Sequence, residues 1–294
     1  MKAKRIAAAV MGTILTLTAV TGAAPVKVKA DSEEKPYLSL GADLKSEEKA
    51  RVLDLLGVSP DELDDYRMVT VTNKDEHRYL DNYLNSSLIG SRALSSVLIE
   101  KREEGEGIHV TTKNISFCTE GMYENALTTA GITDAEVIVA GPSRITGTAA
   151  LVGAMIAYEE MTGEEIGETE KDTATNELVL TGQLAEEIGD SEKAEQFIAM
   201  LKEFIADHEN PSEEEMEKAV EEGEKKLGFS LTEEQKGEIM DLMKKISRLD
   251  LDVDQLKQQA RDIYEKISRI EIDHKGLFEK VKGWLQEILA LFGQ

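Results

Sequence analysis

The residues best placed to do chemistry lie in Gly141-Pro142-Ser143-Arg144-Ile145-Thr146-Gly147-Thr148. They follow an apolar run, Glu136 to Ala140, and precede a small-residue helix, which is where phosphate-binding loops sit. Five residues separate Gly141 from Gly147, however, where a P-loop has four, and no lysine precedes the final threonine. What survives is a turn whose helix-start N–H groups, with Arg144 beside them, suit an anion or a carboxylate. Gly141, Ser143, Arg144, Thr146, Gly147 and Thr148 are therefore the candidate ligand-binding residues. The competing structural expectation is that Ser143 or Thr146 merely caps the helix.

Other catalytic patterns are refused at the level of spacing. Ile145 stands where a nucleophile elbow requires its second glycine. Ser143, His109 and Asp134 have the residue types of a hydrolytic triad, but only geometry makes one. Asp250-Leu251-Asp252-Val253-Asp254 opens like a calcium loop, yet Gln255 replaces the required glycine and Arg261 the closing glutamate. It reads as an inter-helix turn with Asp252 or Asp254 as cap. The histidines at 77, 109, 208 and 274 show no metal-ligand spacing. The carboxylates are too numerous for a glycosidase couple to stand out. No catalytic residue, cofactor or metal ligand is assigned.

The elements that position these residues fall into two halves. From Tyr37 to Tyr158 the pattern predicts β-α-β-α-β-β-α-β-α. Ser95–Lys101 and Ile108–Lys113 form a hairpin in that reading, joined by the glycine-bearing stretch 103–107. A mixed sheet with helices is the expected outcome. The final helix of this half, Thr146 to Tyr158, carries Ala149, Ala150, Gly153, Ala154 and Ala157, which lets a neighbour approach its backbone closely. The span 164–175 is polar and reads as a linker. From Asn176 onward every segment reads as helix, with caps at Ser212–Glu215 and Thr232–Gln235. The expected fold class is thus α/β with a mixed sheet over 31–163, followed by an all-α domain over 176–294. The last helix, Leu277 to Phe292, is amphipathic and is assigned to core packing.

Composition supplies the address. Lys2, Lys4 and Arg5 precede an apolar stretch from Ile6 to Val20, and Val28-Lys29-Ala30 forms a cleavage-type end. Residues 1–30 therefore read as a secretory signal peptide cut before Asp31. The whole chain carries a net charge of −24, and the removed segment holds five basic and no acidic residues. A surface this acidic disfavours nucleic acid, which requires clustered Lys and Arg. One cysteine, Cys118, excludes an intramolecular disulfide, so apolar burial carries the stability. No apolar run after the leader is long enough to span a bilayer.

The chain also resembles the YpuA-like family of secreted bacterial proteins. The resemblance rests on Ser95-Ser96-Val97, Gly107-Ile108-His109-Val110, Asn114-Ile115 and Tyr123-Glu124-Asn125-Ala126-Leu127. It continues through Thr129-Ala130-Gly131-Ile132, Gly147-Thr148-Ala149-Ala150-Leu151 and Ala157-Tyr158-Glu159. It implies a secreted protein and supplies no activity. The expected function is a non-enzymatic binding or structural module, secreted or attached to the cell wall. Its expected partner is an envelope component or another protein. The alternative is an extracellular hydrolase of envelope polymer, with Ser143, Arg144, His109 and Asn114 as first suspects.

Overall fold

The computed structural model describes residues 35–208 and 210–270, with side chains described as far as Tyr264. The expected leader, 1–30, and the amphipathic helix Leu277–Phe292 lie outside the described residues. Strand β1 (Tyr37–Gly41) leads through helix α1 (Ser46–Leu56) and a 3-10 segment (Pro60–Asp65) into β2 (Arg67–Val71). The two strands are parallel, Tyr37 opposite Arg67 and Gly41 opposite Val71. Helix α1 stops at Gly57, whose φ of 78° is the left-handed geometry glycine adopts freely. Helices α2 (Asn73–Leu80) and α3 (Ser86–Ile89) precede β3 (Ser96–Lys101), β4 (Ile108–Ile115), α4 (Glu120–Thr129) and β5 (Ala135–Ile145). Six helices follow among the described residues: α5 (Thr148–Thr162), α6 (Glu168–Ile188), α7 (Ser191–Asp207), α8 (Glu213–Leu227), α9 (Glu233–Ile246) and α10 (Val253–Ile270).

The mixed sheet runs β2-β1-β3-β5-β4. It therefore corrects the predicted hairpin: β3 and β4 never pair, because β5 lies between them, antiparallel to β3 and parallel to β4. Strand alternation specifies which face a residue takes and leaves the neighbour open. The signal for the neighbour is in β5 itself. Val137, Val139 and Ala140 are all fully buried, as a continuous apolar strand must be when flanked on both edges and both faces. Val97, Ile99, Val110, Val137 and Val139 belong to the cluster shared with α4 and α5, while Leu38, Leu40, Leu98 and Ala140 pack on Val52, Leu53 and Leu56 of α1.

The edge at β4 is blocked by side chains. Val110 N–H donates to Glu124 Oε1 at 3.1 Å and Thr112 N–H to Glu120 Oε1 at 3.0 Å. Two glutamates one helical turn apart on α4 thus occupy amides that would otherwise invite another strand. On the covered face, α5 approaches as its composition predicts. A Cβ at Gly153 would lie 2.5 Å from Ser39 Oγ and 3.1 Å from Ser39 Cβ, so β1 and α5 meet at a distance only glycine allows.

The stretch read as a linker is helical from Glu168 onward. Thr173, Ala174 and Thr175 are completely buried. Thr173 Oγ1 donates to Thr169 O and Thr175 Oγ1 to Lys171 O, each at 2.7 Å. These threonines satisfy their hydroxyls on their own helix and present methyl groups inward, so a polar sequence makes a buried surface. One apolar cluster then continues from Val139 and Leu127 through Leu178 to Phe197, Leu242 and Ile263. Inside it sits an ion pair, Lys202 Nζ to Glu177 Oε1 at 2.9 Å, with Lys202 3% exposed and Glu177 not at all. Lys202 also donates to Asn125 O at 2.6 Å, and Thr129 donates to Glu177. Burial pulls the Lys202 ammonium below its ordinary range, and Glu177 opposes that shift.

Candidate functional site

The Gly141–Thr148 segment is an excursion from the sheet. Pairing of β4 with β5 passes from Lys113 opposite Ala140 directly to Ile115 opposite Ile145. Residues 141–144 therefore face the single residue Asn114, whose φ of 61° bends β4 to match. Asn114 Nδ2 donates to Gly141 O at 3.1 Å and ties the two strands across the irregularity. Gly141 and Gly147 are buried, whereas Ser143 and Arg144 are exposed at the tip. The predicted caps are not used. Helix α5 starts after Gly147, at φ 101°, with no side-chain cap, two residues later than Thr146.

The helix start that the sequence offers to an anion already faces a carboxylate of the protein's own. Thr148 Oγ1 donates to Glu76 Oε1 at 3.0 Å, and Asn73 Nδ2 donates to Glu76 Oε2 at 3.3 Å. Glu76 is 2% exposed. Burial raises its carboxyl above the ordinary range, while the Asn73 and Thr148 hydrogen bonds pull it back. Helix α2 itself is capped by Thr72, in a reciprocal box with Asp75. Tyr123 Oη donates to Gly147 O at 2.6 Å, and Cys118 N–H to Thr146 O at 3.1 Å. Burial pushes the Cys118 thiol up to about 12, which makes it an inert part of this packed centre.

The hydrolase suspects converge only in part: Asn114 stands beside the Ser143–Arg144 tip, and His109 lies away from it. His109 pairs in register with Glu136, at the start of β5. Ser143 lies seven residues further along that strand, on the order of 20 Å away at strand rise. Asp134 serves neither of them. Its Oδ1 accepts from Gly105 N–H at 3.0 Å and Gly107 N–H at 2.7 Å, fixing the loop between β3 and β4.

That loop forms one wall of a cavity of about 350 Å³ whose opposite wall is the start of α10. Glu104, Asp134, Asp252, Asp254 and Gln259 line it over a floor that includes Ile132. The aspartate run is the expected inter-helix turn, and Asp252 is its cap, with Oδ1 accepting from Gln255 N–H at 3.0 Å. Among the described residues no group of three or more His, Cys, Asp or Glu side chains is arranged to hold a metal ion. Gln259 is the residue that sequence reading missed. It is 4% exposed, and its Nε2 has no hydrogen-bond partner. A glutamine in a charged amphipathic helix gives no signal of its own.

A second acid-lined cleft, about 260 Å³, lies where α4 meets α7 and includes Glu120, Glu192 and Glu195. Burial raises the Glu195 carboxyl to about 7. The Thr119 hydroxyl, which donates to it at 2.5 Å, opposes the shift, and Glu124, Glu192 and Glu120 add to it.

Comparison with known proteins joins these features to a family. A family model described as "Protein of unknown function (DUF1002)" matches residues 40–263. The chain belongs to that family. The DUF1002 match begins in β1 and ends in α10, so it takes in both the Gly141–Thr148 excursion and the cavity at Gln259. The "Uncharacterized protein YpuA" of Bacillus subtilis (strain 168) is 42% identical over 223 residues, covering 76% of this chain and 75% of that protein. No solved structure matches. The resemblance drawn from the strand and helix motifs is therefore confirmed at family level.

Proposed function

We propose that this DUF1002 protein is an exported, non-catalytic binding module of the cell envelope. The observation that carries the reading is the separation of His109, the candidate base, from Ser143, the candidate nucleophile. His109 and Ser143 stand far apart along β5, and Asp134 is spent on the Gly105 and Gly107 amides. General-base chemistry requires its groups within hydrogen-bond reach of one another. What the fold offers instead is shaped surface: an exposed Ser143–Arg144 tip held by Asn114, and an acid-lined cavity beside α10. The leader-like residues 1–30 and the acidic composition support an extracellular address. Among the described residues no helix is long and apolar enough to cross a membrane.

The test is mass spectrometry of culture supernatant, cell-wall and cytosolic fractions, combined with capture on the tagged protein. The expected result is a chain beginning at Asp31 that retains an envelope component, with retention weakened by Arg144→Glu. An intact product in the cytosol, still carrying Met1, overturns the address. A protein that stays free and partnerless outside the cell overturns the binding role.

A further inference from the structure

We propose that the outer edge of β2 is a docking surface for a second copy of this chain. The two β2 strands pair antiparallel about a two-fold axis at Val69 and join two five-stranded sheets edge to edge. The proposal stands independently of the binding-module reading.

Main-chain direction defines the surface. Arg67 N–H donates to Pro36 O at 2.9 Å and Ala42 N–H to Val71 O at 2.8 Å. In a parallel ladder each residue turns both main-chain groups to one side, and the side alternates along the strand. Arg67, Val69 and Val71 therefore face β1, while Met68 and Thr70 face away from it. No strand lies on that side, since β2 ends the order β2-β1-β3-β5-β4. The flanking amides are closed by the chain itself. Tyr66 N–H donates to Leu63 O at 3.2 Å and Thr72 N–H to Asp75 Oδ2 at 2.9 Å. Among the described residues nothing pairs with the outward groups of Met68 and Thr70. The opposite edge, at β4, has its amides filled by Glu120 and Glu124. Side chains mark the same place. Register sets Met68 beside Leu38 and Thr70 beside Leu40, on the face that α1 covers at β1. Met68 is nevertheless 43% exposed.

Symmetry and charge select the occupant. An antiparallel copy centred on Val69 puts Met68 opposite Thr70 of the other copy, twice over, and uses all four outward N–H and C=O groups. Centring on Met68 or Thr70 instead sets one residue against the occupied Tyr66 or Thr72 amide. The Val69 register also brings Asp64 of each copy, which is exposed, level with exposed Lys74 of the other. The chain's own start cannot take the place. Once the leader is cut before Asp31, only 31–34 precedes Lys35. Four residues span about 13 Å, which the passage from β1 around to the far side of β2 uses up. Strands this short bury less than a standard interface, so the pairing is weak and reversible.

The experiment is sedimentation velocity of the chain beginning at Asp31, with NMR amide exchange read at Met68 and Thr70. Both are run at about 0.5 M salt, which screens the like net charge of the copies. A monomer–dimer equilibrium is expected, with Kd on the order of 0.1 mM. Exchange at the two amides should slow about fourfold between roughly 0.02 mM and 1 mM protein. Thr70→Pro removes one outward N–H and keeps the bonds to β1, a change edge strands tolerate. It is expected to weaken the dimer about tenfold or more. Met68→Lys leaves the backbone intact and should weaken it about fivefold, with an unchanged melting temperature. Register is read by mixing Met68→Cys with Thr70→Cys chains under a mild oxidant, since these positions stand opposite each other and Cys118 is buried. The mixture should crosslink faster than either variant alone. A chain that stays monomeric at about 1 mM overturns the proposal, as does a dimer indifferent to both Thr70→Pro and Met68→Lys. Amides protected equally at every concentration assign the edge to the chain's own remaining residues and overturn it too. Faster crosslinking of like variants than of the mixture overturns the register and with it the symmetric pairing.

Discussion

Two turns with residue types suited to binding end up in opposite conditions. At the start of α5 the protein fills the position itself. Glu76 accepts from Thr148 and Asn73, Tyr123 donates to the Gly147 carbonyl, and Cys118 is sealed in. At the start of α10, Asp252 closes the helix, but a cavity remains beside it and Gln259 keeps an unmet donor. The first turn looked the better site by motif, the second by what the fold leaves unspent. A loop's residue types therefore show what it can bind; the packing around it decides whether that capacity is still available.

The largest expected effect tests the sealed interior. Lys202→Met leaves Glu177 buried and unpaired, and should cost about 3–5 kcal/mol in urea unfolding. The double variant Lys202→Met with Glu177→Leu should recover much of that loss; if it does not, the interior depends on the ion pair itself. Next comes the pH dependence set by Glu195. Its folded carboxyl titrates at about 7, above the ordinary 4.5, so the folded state holds the proton more tightly than the unfolded one. Its contribution is complete below about pH 4.5 and is lost as pH rises through 7, a change of about 3 kcal/mol. Glu203, raised by burial to about 7 as well, adds in the same direction. Glu195→Gln should flatten this part of the profile when urea midpoints are compared at pH 5 and pH 8.

Effects at the cavity should be smaller. Asp134→Ala removes the acceptor for two loop amides and should cost about 2 kcal/mol. Asp252→Ala removes a helix cap and should cost about 1 kcal/mol. A loss at Asp252 matching that at Lys202 would erase the distinction between the open and the sealed regions. Last, Cys118 should resist alkylation in the native protein at pH 8 and react only once unfolded, because its thiol is fully buried and pushed up to about 12.

Much of the local structure was legible because its causes are local. Ser212 with Glu215, and Thr232 with Gln235, cap the helices that their spacing predicts. The small residues of α5 foretold its close approach to β1. What was illegible depends on partners distant in the chain. Nothing in 96–115 shows that β5 separates β3 from β4. The first turns of α6 are hidden because threonine scores as polar even when its hydroxyl is bonded to its own helix. At the candidate site, Ser143 and Arg144 do reach the surface and Asn114 does stand beside them. Glu76 gave no sign that it would occupy the helix start, and Gln259 acquires its interest only from burial without a partner.

The place of β5 also governs which fragments of this protein can exist. A chain cut between Ile115 and Ala135 still contains four strands, yet β3 and β4 then have no common neighbour and β4 has no strand partner at all. The keystone is the last piece of the arch to be threaded. Truncation ahead of it leaves β4 cut off from the β2-β1-β3 remnant, so the sheet requires the whole unit from Tyr37 to Ile145.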